Sequence, residues 1–98
     1  MEHSEKISAE IEPFFSKGRN AATEMQKLGF KIFHVGETIS VEGRKSLWKK
    51  IFKTKFVRKS KVGPHGIYFK AIEGSTEVPE NLSDLISSVY FVEPPELY

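Results

Sequence analysis

The chain has 98 residues, 39% of them hydrophobic, with Lys+Arg 15 against Asp+Glu 13 and no cysteine. That length suits one domain with one core, and an aromatic complement that includes eight Phe argues against disorder. Without cysteine there is no disulfide, no thiolate nucleophile and no cysteine metal site, and no apolar run approaches transmembrane length.

Residues 1–98 read as a single domain with flexible ends at 1–5 and 93–98. The start, Met1 to Lys6, is acidic and polar and lacks the basic and apolar regions of a signal peptide. A cytoplasmic location is the expectation for the chain as written, and an extracellular one if it is excised from a secreted precursor. Lys6 to Glu12 alternates, with Ile7, Ala9 and Ile11 on one side of a strand; a short helix is the competing reading. Pro13 and Ser16-Lys17-Gly18 interrupt regular structure.

A first helix is predicted from Asn20 to Leu28, capped by Asn20 and apolar at Ala21, Met25 and Leu28. Gly29 takes the left-handed position after it, and Phe30 folds back on the last turn. In the strand that follows, Phe30, Ile32 and His34 share one face while Phe33 and Val35 take the other. Apolar residues on both faces predict a central strand. Gly36-Glu37 suits a two-residue type II′ turn, after which Ile39 and Val41 point inward and Thr38, Ser40 and Glu42 outward.

Gly43 ends that strand. A second helix is predicted over Arg44 to Lys53, with Leu47, Trp48, Ile51 and Phe52 as its apolar stripe, Trp48 at the stripe's edge. Phe56 to Val62 and Ile67 to Ile72 flank Gly63-Pro64-His65-Gly66 and read as a hairpin projecting from the main sheet. Pro79 opens a third, short helix with Leu82, Leu85, Ile86 and Val89 on one face. Val89-Tyr90-Phe91-Val92 is the last strand, and Pro94-Pro95 forces an extended tail. With the hairpin and the short helix set aside, the order is βαββαβ. The fold class is therefore α+β: a ferredoxin-like sandwich, its antiparallel sheet covered by helices on one face and open on the other.

No catalytic constellation is evident. His3, His34 and His65 lack metal-ligand spacing, and no serine lies in a G-x-S-x-G elbow. His34 reads as a structural histidine. Neither a P-loop nor a G-x-G-x-x-G motif is present. Glu37 and Glu42 could form a carboxylate pair, but both are expected on a solvent-facing hairpin and nothing in the sequence marks them as catalytic. The chain is expected not to be an enzyme and to need no cofactor or metal.

Charge is unevenly placed. Residues 44–61 hold nine bases and no acid: Arg44, Lys45, Lys49, Lys50, Lys53, Lys55, Arg58, Lys59 and Lys61. After Lys70 there are acids and no base. Either the two ends neutralise each other across the fold, or the basic run is an anion-binding surface formed by Lys49, Lys50, Lys53, Lys55, Arg58, Lys59 and Lys61. The aromatic signature of sheet-borne RNA recognition is absent, and packing is the simpler reading of Phe33 and Tyr68. Nucleic acid is accordingly the second choice of partner.

Several segments, in order, resemble the prodomain of sedolisin/kumamolisin-type serine peptidases and, more distantly, subtilisin propeptides. They are the helix end Leu28-Gly29-Phe30, the strand and turn Thr38-Ile39-Ser40-Val41-Glu42-Gly43, the helix end Ile51-Phe52 with its basic hairpin, and Val78-Pro79-Glu80-Asn81-Leu82-Ser83-Asp84-Leu85-Ile86 before the last strand. The match spans about Asn20 to Val92. The resemblance implies a module that assists folding of a serine peptidase and inhibits it, in cis or in trans. Its open sheet face would pack on the enzyme and its last segment would run through the substrate cleft. Here that segment is Val92, Glu93, Pro94, Pro95, Glu96, Leu97 and Tyr98. Cleft docking of this kind is strand addition, and two prolines make a poor substrate. As written, residues 1–98 are expected to be either an excised domain or a free-standing relative of such precursors, since they include neither their catalytic constellation nor a signal-peptide pattern.

Overall fold

Strand β1, Lys6–Pro13, alternates between buried and partly exposed residues, placing Ile7, Ala9 and Ile11 in the core. The computed structural model describes residues 6–60 and 67–92. Helix α1 follows at Gly18–Lys27, then β2 at Lys31–Val35, β3 at Ile39–Arg44, α2 at Lys45–Phe52, β4 at Phe56–Ser60, β5 at Ile67–Ala71 and β6 at Ile86–Phe91. A single 3₁₀ turn, Glu80–Leu82, precedes β6. The strands form a four-stranded antiparallel sheet in the order β2-β3-β1-β6 and a separate two-stranded antiparallel sheet, β4-β5. This is a small α+β fold with two α-helices, consistent with the ferredoxin-like type. No helix among the described residues is long and apolar enough to cross a membrane.

The core lies between one face of the larger sheet and the two helices. Ile7, Ala9, Ile11, Ile39 and Val41 from the sheet meet Ala21, Ala22 and Met25 of α1 and Trp48 and Phe52 of α2 in a single cluster. Trp48 is the core residue its sequence suggests, but it lies fully buried at the centre of that cluster rather than at the stripe's edge. Its ring stands 4.7 Å from Phe30, 5.2 Å from Phe52 and 4.8 Å from Phe91. Its indole Nε1 donates to the Ile7 carbonyl at 3.0 Å, so the polar end of the ring is satisfied inside the core. Phe91 continues the stack to Phe56 of β4 at 5.7 Å, and this contact ties the small ribbon to the main core.

Two glycines are set by geometry. Gly29 has φ +110°, and its amide and that of Phe30 bond back to Gln26 and Met25. This is the Schellman closure expected of the helix end, and it turns Phe30 into the core. Gly43 packs against the Phe30 ring so closely that a Cβ would lie 2.6 Å from it. Gly43 therefore holds its place because an aromatic ring occupies the space a side chain would need.

Several expectations are corrected. Helix α1 starts at Gly18, with Lys17 at its cap and no side-chain cap bond, so Asn20 lies inside the helix and caps nothing. Strand β2 is an edge strand, not a central one, and is mostly exposed. Gly36 is not in the positive-φ conformation a type II′ turn needs; Val35 pairs with Ile39 around a three-residue connection closed by Gly36 N to Thr38 O at 2.9 Å. The third helix contracts to the single 3₁₀ turn, and β6 begins at Ile86 rather than Val89. The apolar spacing 82, 85, 86, 89 also fits one tight turn followed by a strand. Pairing along β1, which takes in Ile86 and Ser88 to Phe91, supplies backbone partners that an isolated short helix lacks.

Candidate functional site

Among the described residues, no helix covers the far face of the larger sheet. Antiparallel register defines its residues, since directly paired residues share a face. Ser8 pairs with Glu42, Glu10 with both Ser40 and Tyr90, Glu12 with Ser88, Lys31 with Glu42 and His34 with Ser40. At its centre, Thr38 Oγ1 donates to one Glu10 carboxylate oxygen and Ser40 Oγ to the other, each at 2.7 Å. These bonds, Thr38's first, hold the Glu10 carboxyl below the ordinary glutamate range; partial burial opposes them and the nearby His34 adds to them.

A bulge in β2 between Ile32 and His34 decides what else the face presents. With a regular strand, His34 would join Phe30 and Ile32 on the core side, as its spacing suggests. The extra residue, Phe33, moves His34 into register with Ser40 on the open face. Phe33 is 54% exposed, with Lys31 Nζ 5.1 Å from its ring centre, so it is not packed. Tyr90, on the opposite edge strand, is 55% exposed. The open face thus has a polar, hydrogen-bonded middle with one exposed aromatic residue toward each edge. The sequence placed Ser40 and Glu42 outward but missed Glu10's role, Phe33's exposure and the pairing of Tyr90 with Glu10. The alternation of β1 alone identifies Glu10 as outward-facing; the bulge leaves no local signal.

Beside this face, a groove of about 650 Å³ runs between β6 and the end of β5. It is lined by consecutive residues of both segments, Ser87 to Val92 and Phe69 to Gly74, so strand edges form its walls. Val92 is 53% exposed there, and its amide bonds to the Ser8 carbonyl at 3.0 Å, one residue past the end of β6. Of the predicted cleft-docking segment, Val92 is placed by this bond, while Glu93, Pro94, Pro95, Glu96, Leu97 and Tyr98 lie outside the described residues.

The predicted anion-binding residues do not form one cluster. Lys49 and Lys50 are exposed on α2, and Lys53 is its left-handed C-cap with φ 56°. Lys55 and Lys59 fall on the outer face of the β4-β5 ribbon, where Val57 pairs with Lys70 and Lys59 with Tyr68. Arg58 pairs with Phe69 on the inner face, and Lys61 lies outside the described residues. Lys49, Lys50, Lys53, Lys55, Arg58 and Lys59 have no carboxylate partner among the described residues. The described residues hold no group of three or more His, Asp or Glu that could bind a metal.

No family model matches the chain, and no curated protein or solved structure matches it either.

Proposed function

We propose that the chain is a prodomain-like binding module that inhibits, or assists the folding of, a subtilisin- or sedolisin-type serine peptidase. In this reading the fold is the βαββαβ sandwich, with the β4-β5 ribbon and the 3₁₀ turn inserted before the last strand. The strand order β2-β3-β1-β6 supports that assignment. The observation that carries the functional reading is the uncovered sheet face, with Phe33 and Tyr90 exposed on either side of a fixed polar centre. Exposed aromatics around ordered polar groups are what protein interfaces use as anchors. The tail after Val92 leaves from the sheet's edge strand and enters the substrate cleft as an added strand.

The test is inhibition of purified subtilisin- and sedolisin-type peptidases by the pure chain. Slow, tight inhibition is expected. Phe33→Ala and Tyr90→Ala each weaken it by about tenfold or more if they are anchors, and deletion of residues 93–98 weakens it further. Unaltered activity of every such peptidase at micromolar concentrations of the chain overturns the proposal.

A further inference from the structure

We propose that the turn between β1 and α1 is an apolar knob that seats in the groove between β5 and β6 of a second copy of this chain. This goes beyond the inhibitory reading and does not depend on it. Phe15, at 96%, is the most exposed large apolar residue among those described. The backbone that presents it is fixed. Lys17 N donates to Phe14 O at 2.9 Å and closes the turn, and Phe14 N donates to Leu85 O at 3.0 Å and ties it to the segment before β6. Ser16 sits at φ 62°, a region that disfavours residues with a Cβ and that persists where the surrounding structure imposes it. Phe14 and Val35 are exposed as well. Pro13 Cγ and Val35 Cγ1 each lie 3.8 Å from the point a Cβ on Gly18 would occupy, so Val35 joins the knob at its base beside Pro13.

The same chain carries the complement. Ile7, Phe69, Val78 and Phe91 line the groove of about 650 Å³, and Ile72 and Val92 are exposed on its two walls. A space of this size takes a compact apolar group, and the Phe69 and Phe91 rings offer an inserted phenyl edge-to-face contacts. Within one chain knob and groove floor stay apart: Ile7 and Pro13 stand about 20 Å from each other along β1. The contact is therefore heterologous, each copy offering its knob to one neighbour and its groove to another. Charge is mixed on both sides, with Glu12, Lys17 and Arg19 around the knob and Lys70 and Glu73 in the groove wall, so apolar fit governs. At about 150–250 Å² for a buried Phe, with Phe14 already half covered, the knob supplies roughly 300 Å² and the groove a similar area. That is below the roughly 1,200 Å² of a stable complex, and the association is weak and concentration-dependent.

The test is sedimentation of the intact chain from about 10 μM to about 1 mM, the range in which an interface below standard size associates. The average mass is expected to rise with concentration and to be unchanged by about 0.5 M salt, which screens surface charge. Phe15→Ser removes the knob and Ile72→Arg obstructs the groove; both positions are exposed, so the fold tolerates each change. Each variant alone is expected to weaken self-association by about tenfold or more. An equimolar mixture of the two pairs the intact groove of one with the intact knob of the other, and it forms a heterodimer that grows no further. That recovery separates loss of contact from loss of fold. Four results overturn the proposal: a monomer at about 1 mM, assembly that dissolves in salt, assembly that persists in either variant, or a mixture that stays monomeric.

Discussion

Strand β1 sends Ile7, Ala9 and Ile11 into a core roofed by two helices and has a hydrogen-bonded neighbour on each side. Strand β4 has one neighbour, and its largest inward residue, Phe56, is only half-buried against Phe91. Around that contact the ribbon is held by small polar links and a cation. Thr54 and Thr76 hydroxyls meet at 3.0 Å, the Lys55 amide donates to Ser75 Oγ at 2.9 Å, and Lys45 Nζ lies 3.9 Å from the Phe69 ring centre. A two-stranded ribbon is marginal by itself. Here its order is borrowed from the main core through Phe91, so the two regions should lose structure at different free energies. A surface that must adapt to a partner is better placed on the second region than on the first.

The comparison can be broken at the core ring against which the shared Phe91 packs. Trp48→Ala removes a fully buried indole, its bond to Ile7 and its contact with Phe91; a loss of about 3–5 kcal/mol is expected, a large part of the stability of a domain this size. Urea unfolding should show a lower midpoint in both regions together. Gly43→Ala tests the main sheet alone. Its Cβ would stand 2.6 Å from the Phe30 ring, and the displacement should cost about 1–3 kcal/mol, read as a lower midpoint at unchanged slope. Phe56→Ala tests the converse: amide exchange should accelerate across Phe56–Ser60 and Ile67–Ala71 while β1 and β3 keep their protection. Equal acceleration in β1 would show that the ribbon is an integral part of the core.

Two smaller effects sharpen the picture. Lys53 joins α2 to the ribbon in the left-handed region, φ 56°, where a Cβ is unfavourable. Lys53→Gly should raise stability by about 0.5–1 kcal/mol in thermal or urea unfolding. Glu10 is expected to give the smallest effect, below about 1 kcal/mol, because its site is partly open to water. Its carboxyl is held below the usual range in the folded chain. The stability it confers is therefore complete above the unfolded-state glutamate pKa and disappears as pH falls through the lower folded-state value. Glu10→Gln should lower the neutral-pH midpoint slightly and flatten its acid dependence over that interval, leaving the ribbon's amide exchange unchanged.

Much of the chain was legible because neighbouring residues carry the signal. The alternation of Ile7, Ala9 and Ile11, the inward pair Ile39 and Val41, the glycine closure after α1 and the Leu47-Trp48-Ile51-Phe52 stripe each follow from a local period or a backbone restriction. The two strands that pair as β4-β5 are each marked by a local run of strand-forming residues. The candidate site was less legible. Ser40 and Glu42 were placed outward correctly, but their neighbours on the open face come from strands far away in sequence: Glu10 lies 28 residues from Thr38 and 30 from Ser40.

What the sequence determined by itself was which segments are strands and helices and which side of most of them is apolar, because periodicity and glycine geometry act over a few residues. Only the tertiary structure decided that β2 lies at an edge, that its bulge turns His34 outward, and that residues 82–89 become a turn and a strand. Each of those outcomes depends on which distant backbone offers hydrogen-bond partners. A strand takes its position and register from that pairing, whatever its own residues prefer.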